Sequence, residues 1–349
     1  MSIYGAQGSD APRFDEEARQ YDALLLMSFG GPEGMEEVIP FLENVAGGRN
    51  IPRHRLEAVA EHYLAFGGVS PINAQNRALI AALEAEFRQH ALDLPIYFGN
   101  RNWHPFIADT LRQMRDDGVK RALAFFTSPF SSYSSCRQYR EDIILASEAV
   151  AGAPEFDKIR VFYNHPGFIE PVIARTQAAL EQFPPEKRAG VQLVFTAHSI
   201  PLTMAQNSDY EAQLAETCRL VAEGLGRVEY RLVYQSRSGS PHNPWLEPDI
   251  CDDLRQAVAA GIEDVVIVPV GFISDHMEVV FDLDTEAKQV AEEIGITLVR
   301  AETVGTHPVF VSMIRELVVE RMTSHPERRA LGQRGPNHDI CPMTCCLKD

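Results

Sequence analysis

The stretch LRQAVAAGIEDVVIVPVGF (Leu254–Phe272) decides the fold. It reads as the end of an amphipathic helix, a glycine that closes it, and a short strand that is apolar on both faces. A strand of that kind belongs in a parallel sheet covered by helices on either side. The stretch LRQMRDDGVKRALAFFTS (Leu111–Ser128) aligns with it without a gap, 143 residues earlier, and its strand ends at Thr127–Ser128 where the other ends at Val270–Gly271. Helix–Gly–strand is how any α/β unit is written, so two readings stand: a likeness of type, or a sheet unit present twice. Both predict two sheets.

Working outward, β-branched and aromatic runs predict strands at Ala23–Phe29, Pro95–Phe98, Arg121–Thr127, Lys158–Tyr163, Val191–Ala197, Tyr230–Gln235, Asp264–Val270 and Ile296–Ala301. Between them, Gln75–His90 places Leu79, Leu83 and Phe87 on one helical face, and Tyr210–Leu225 does likewise. The alternation predicts an α/β protein with parallel sheets, divided near Pro184–Pro185. Residues 1–20 read as a flexible lead-in, 21–184 and 185–323 as the two sheet domains, and 324–349 as a polar tail with little regular structure.

A chain of 349 residues with 45% hydrophobic and 23% charged side chains can bury two cores. Its formal charge of −17 argues against an extended nucleic-acid footprint or adhesion to anionic lipid. No apolar run approaches the roughly 20 residues of a membrane span, and the N-terminus lacks the apolar core of a signal peptide. The expectation is a cytoplasmic monomer. Cys218 and Cys251 fall in apolar stripes and read as core thiols. Cys136, Cys341, Cys345 and Cys346 do not.

Ligands in open α/β sheets bind beyond the carboxyl ends of the strands. Those ends carry Ser28-Phe29-Gly30-Gly31-Pro32, Ser128–Tyr133, Ala197-His198-Ser199-Ile200-Pro201, Gln235-Ser236-Arg237-Ser238 and Gly271–Glu278. Their imidazoles are His198 and His276, and Asp275, Glu278, Asp282 and Asp284 form a carboxylate row. If Met277 onward is helical, Glu278 and Asp282 share a face. That is either a capped acidic helix start or, with a histidine opposite, a divalent-metal path or acid–base site. His276 reads as a structural histidine. Gly30-Gly31-Pro32 lacks a dinucleotide fingerprint and no phosphate-loop motif occurs, so a nucleotide cofactor is not expected.

From Asp22 to Met322 these strand ends resemble the ferrochelatase family, on Leu26–Pro32, Gly67–Pro71, Phe195–Pro201, Tyr234–Ser236 with Pro244–Leu246, and Gly271–Glu278. The resemblance implies two Rossmann-like domains in a chelatase fold, with porphyrin in the cleft between them. It implies that His198 and Glu278 are the catalytic pair receiving Fe²⁺, with Asp282 further along an acidic metal path. The soluble bacterial branch, which metallates coproporphyrin III, is the one it looks most like, because Glu43–Arg55 is polar where the membrane-bound, protoporphyrin IX branch has an apolar lip. Phe29, Arg49, Ser70, Tyr133 and Trp245 are then the expected porphyrin contacts. Many soluble relatives have Tyr at Phe29, and Phe cannot ligate iron. Some ferrochelatases also carry a [2Fe–2S] cluster on one internal and three C-terminal cysteines, which implies Cys136, Cys341, Cys345 and Cys346 here; a Cys₄ zinc site and free thiols are the rivals. The rival readings are a ferrochelatase acting on protoporphyrin IX, a corrinoid chelatase, and a non-catalytic haem or Fe–S sensor, against which the His198–Glu278 pair argues; a downstream haem-pathway enzyme is the partner to consider.

Overall fold

A computed structural model describes residues 3, 11–48, 51–238 and 242–348. Eight strands form two parallel sheets: β1 (Ala23–Ser28), β2 (Ile96–Asn100), β3 (Arg121–Phe126) and β4 (Glu155–Lys158) in the order β2-β1-β3-β4, then β5 (Gln192–His198), β6 (Arg231–Gln235), β7 (Asp264–Val268) and β8 (Thr297–Arg300) in the order β6-β5-β7-β8. The two orders are the same when each half is counted from its own first strand. A second correspondence supports duplication. The last helix of each half, Pro166–Leu180 and Pro308–Met322, starts with His-Pro-x-Phe, and Nδ1 of His165 and of His307 accepts the backbone N–H two residues on.

All eight expected strands exist, but the fourth is displaced. Residues 159–163 are buried without being a strand; the ladder with β3 pairs Arg121–Ala124 with Glu155–Lys158. Ile159, Val161, Phe162 and Tyr163 are apolar because they fill the core shared by both sheets. Burial at successive positions imitates the signature of a buried strand. The helix Pro166–Leu180, just before Pro184–Pro185, packs against β7, β8 and the helices Tyr210–Gly224 and Pro308–Met322. No helix among the described residues is long and apolar enough to cross a membrane.

Among the described residues the tail has no helix or strand, yet it is not loose. Asp339 is 1% exposed, accepts the Asp15 N–H, and is paired with Arg328 at 2.8 Å and Arg321 at 3.7 Å. Arg13 and Ile340 exchange antiparallel backbone hydrogen bonds. The lead-in and the tail therefore hold each other, which corrects the expectation of flexibility for residues 11–20; most of residues 1–10 lie outside the description. Composition looked polar because the burial here is ionic. Buried charge is retained only where opposite charge and hydrogen bonds meet it.

Candidate functional site at the strand ends

His198 is the last residue of β5, and Gly271 lies just beyond β7, its neighbour in the sheet. A Cβ on Gly271 would stand 2.7 Å from Ala197 Cα, so glycine is what lets the two chain segments touch directly behind His198. Gly271→Ala is expected to destabilise the fold by about 1–3 kcal/mol, the usual cost of overpacking. A urea midpoint equal to that of the parent chain would show that the contact relaxes freely.

Gly271 leads into the turn that ends in the helix Met277–Phe281, with Glu278 in its first turn. The Nε2 of His198 faces Glu278 Oε1 at 3.6 Å, and the Nδ1 of His276 faces Glu278 Oε2 at 3.7 Å. The carboxylate thus sits between two imidazoles. The Nδ1 of His198 is bonded to the carbonyl of Ser199, which fixes the ring and aims Nε2 at Glu278. His276, read as structural from sequence, belongs to this group.

From Asp282 the helix continues as a π-helical turn, Asp282–Ala287, a distortion common at functional sites. Gln235 donates to the Glu278 carbonyl at 2.8 Å, and Ser236 donates to Asp282 Oδ2. The Tyr234-Gln235-Ser236 motif therefore tethers the acidic row. Gln235 is wholly buried; sequence reasoning marked its motif without giving it that task.

Burial pushes the His198 imidazole down, but the Glu278 charge and hydrogen bond outweigh this and hold it up at about 9. Burial pushes Glu278 up, and His198 followed by His276 hold it down at about 2. Burial raises Asp282 to about 7 against its hydrogen bond from Ser236, with Glu278 and Glu286 adding repulsion. The resting pair is imidazolium and carboxylate. The His198 contribution to stability is fully present below pH 6.5 and lost as pH rises through about 9. That of Glu278 is present above pH 4.5 and lost as pH falls through about 2. Glu278→Gln is expected to bring the His198 pKa down from about 9 toward its ordinary 6.5, read from the imidazole resonances by NMR. An unchanged titration would mean that another group holds the proton.

Of the five residues expected to contact porphyrin, four lie among the described residues. Ser70 is buried, and its N–H bonds the carbonyl of Pro32 in the first glycine turn. Phe29 meets Phe41 edge-on at 6.3 Å and lies under the Arg101 guanidinium at 5.9 Å. Tyr133 donates to Glu141 at 3.2 Å. The Trp245 segment is laced to Ile200–Leu202, the Leu246 N–H donating to the Ile200 carbonyl and the Leu202 N–H to the Pro244 carbonyl, and Trp245 Nε1 is buried with no hydrogen bond among the described residues. Arg49 lies outside the described residues. The helix Arg53–Leu64 closes one side, with His62 stacked on Phe281 at 3.7 Å.

The four remaining cysteines lie close to one another. Cys136 sits in the π-helical turn Tyr133–Arg137, and Arg137 donates to the carbonyls of Met343 and Cys345 at 2.7 and 2.9 Å, which brings the tail over it. Cys345 and Cys346 place their sulfurs 3.3 Å apart. Ligand atoms of His338, Cys341 and Cys345 all lie within 4.8 Å of one another, a group that can hold a metal ion. Hydrogen bonds from Cys136 and Cys345 hold Cys341 well below an ordinary thiol. Burial opposes the charge on Arg140, yet Cys341, Cys136, Cys345 and Cys346 together raise its pKa, and the buried Lys158 ammonium acts on the same thiols. Two buried cations, Arg140 and Lys158, thus stand beside the thiols. His338 was missed from sequence, although its place three residues before Cys341 is ordinary ligand spacing. Cys218 is buried and Cys251 packs on the second sheet, as core thiols do.

The ferrochelatase family profile matches residues 21–322. The chain is 57% identical over 333 residues to a ferrochelatase of Rhodopirellula baltica, covering 95% of each. It is 49% identical over 353 residues to a coproporphyrin III ferrochelatase of Streptomyces coelicolor, covering 95% of this chain and 94% of that one. With a coproporphyrin III ferrochelatase of Frankia alni the identity is 50% over 345 residues, covering 95% and 88%. Two like-ordered parallel sheets, an imidazole–carboxylate pair where their strands end, and matches of this length lead to one conclusion: the chain belongs to the ferrochelatase family.

Proposed function

We propose that the protein inserts Fe²⁺ into coproporphyrin III, releasing two protons and forming the ferrous porphyrin, as a cytoplasmic enzyme of haem synthesis. The observation that carries the reading is the His198–Glu278 pair at 3.6 Å on adjacent strand ends, backed by the Asp282 carboxyl. The two sheet units, divided near Pro184–Pro185, enclose the porphyrin. Glu278, ionised through the physiological range, draws the cation in. As Fe²⁺ takes over the carboxylate, the hold on the imidazolium weakens and His198 becomes the neutral base that metallation needs. Asp282, with its pKa raised to about 7, is poised to pass protons outward. Phe29 and Trp245 supply apolar walls, and Arg49, Ser70 and Tyr133 receive propionates.

Branch choice rests on the lip and on the relatives. Glu43, Arg53 and Glu57 form an exposed ion-pair chain, with Asn44 and Arg55 also exposed. Coproporphyrin III offers this rim two more carboxylates than protoporphyrin IX. A kcat/KM advantage of about tenfold or more for coproporphyrin III is expected, the scale of one charge-assisted hydrogen bond, without detergent or lipid. Equal turnover of the two porphyrins would place the protein in the other branch.

We further propose that Cys136, Cys341, Cys345 and Cys346 hold a [2Fe–2S] cluster. The convergence of four thiols beside Arg140 and Lys158 supports it. Metal insertion transfers no electrons, so the cluster's task is to fasten the tail to the first sheet domain.

A further inference from the structure

The first turn of the helix Tyr210–Gly224 touches both halves of the cleft at once. On one side, the Gln213 side-chain amide makes a reciprocal pair with Ser131. The Ser131 N–H donates to Oε1 at 2.8 Å, and Nε2 donates to Ser131 Oγ at 3.0 Å. Gln213 is 1% exposed and Ser131 6%. On the other side, one helical turn earlier, the Tyr210 hydroxyl donates to the backbone carbonyl of His198 at 3.0 Å. Phe130, completely buried, meets the Tyr210 ring edge-on at 6.0 Å and fills the space between the two attachments.

Ser131 belongs to the loop that runs from β3 into the Tyr133–Arg137 turn, and Gln213 and Tyr210 belong to the second half of the chain. A buried amide that both accepts and donates to one residue fixes a separation and an orientation; an apolar contact fixes only a separation. This is the kind of contact that holds a substrate-facing loop in register with a base on another sheet. Among the described residues, neither makes a hydrogen bond to the His198 imidazole or to the Glu278 or Asp282 carboxylate.

We infer that Gln213, acting with Tyr210, is a positioning residue: it sets the registration between the porphyrin-facing Ser128–Tyr133 loop and His198. The inference rests on the reading of the cleft as the porphyrin site. Its consequence is a loss of turnover with little loss of binding, because the loop still carries its contacts while the ring it holds is displaced from the base. Misplacement by about 1 Å costs up to about 10²-fold in rate, and two broken hydrogen bonds at a packed contact give a part of that.

The experiment uses the full chain and measures steady-state insertion together with porphyrin binding by fluorescence quenching. Gln213→Met keeps the shape and removes both bonds, and is expected to lower kcat about tenfold with KM and Kd for porphyrin within about twofold. Ser131→Ala removes only the Oγ bond and is expected to fall between Gln213→Met and the parent. Tyr210→Phe is expected to lower kcat about fivefold. The double variant Gln213→Met/Tyr210→Phe should lose no more than about tenfold, since two ends of one strut are not independent. A parent-like kcat in Gln213→Met overturns the inference, as do losses that multiply to about fiftyfold in the double variant or a rise in porphyrin Kd that accounts for the whole effect. If Gln213→Met does not fold, Ser131→Ala and Tyr210→Phe carry the same cycle. A parent chain that inserts no Fe²⁺ would defeat the functional reading instead, and is seen before any variant is made.

Discussion

His198→Ala is expected to slow Fe²⁺ insertion by about 10²-fold or more, the scale of lost general-base help. The imidazole is held at β5 with Nδ1 tied to Ser199 and Nε2 directed at Glu278. Among the described residues, His198 is the basic group that meets Glu278 Oε1. His276 faces the other oxygen of Glu278, and burial together with the His198 charge lowers its pKa against the pull of Glu278. The fold should survive, since removing His198 deletes one attractive charge pair and leaves β5 fully paired to β6 and β7. Glu278→Gln should also lose turnover, with KM for Fe²⁺ rising, because its part is to attract the cation. Wild-type-like insertion in His198→Ala, measured with saturating porphyrin and Fe²⁺ under argon, would remove the residue from the mechanism.

The second large effect is at the thiol site. Anaerobically purified protein should be reddish-brown with about two iron and two sulfide per chain. Replacement of Cys136, Cys341, Cys345 or Cys346 by Ser should bleach it, whereas Cys218→Ser and Cys251→Ser should keep the colour. The structure also limits what cluster loss releases. The tail up to Ile340 stays fixed by Asp339, Arg328, Arg321 and the Arg13 bridge, none of which needs a metal. Increased protease cleavage is therefore expected beyond Ile340, not from Ser324 onward. One zinc in a colourless protein would favour the rival metal, for which His338 stands ready as a ligand. A metal-free protein with four titratable thiols would defeat both.

By itself the sequence determined the layers, the strand ends and most of the reactive side chains. Buried parallel strands are written as continuous apolar runs, and ligands gather where those strands end, so His198, Glu278 and Asp282 stood out as candidates, while the ferrochelatase resemblance supplied their roles. The likeness of Leu111–Ser128 to Leu254–Phe272 already pointed to a repeated unit. Only the tertiary structure decided matters that depend on what lies across a contact. Residues 159–163 carry the apolar composition of a strand but serve a core. Asp15, Arg321, Arg328 and Asp339 look like solvated surface charge until they are seen neutralising one another at the interface of lead-in and tail. Gln213 has no motif signal, and the motif place of His276 and the ligand spacing of His338 do not by themselves tell either from a structural residue. Their significance is a distance to a carboxylate, to two sulfurs and to a loop 82 residues away in the chain. Periodicity records which way a side chain points, and only packing supplies the partner it meets.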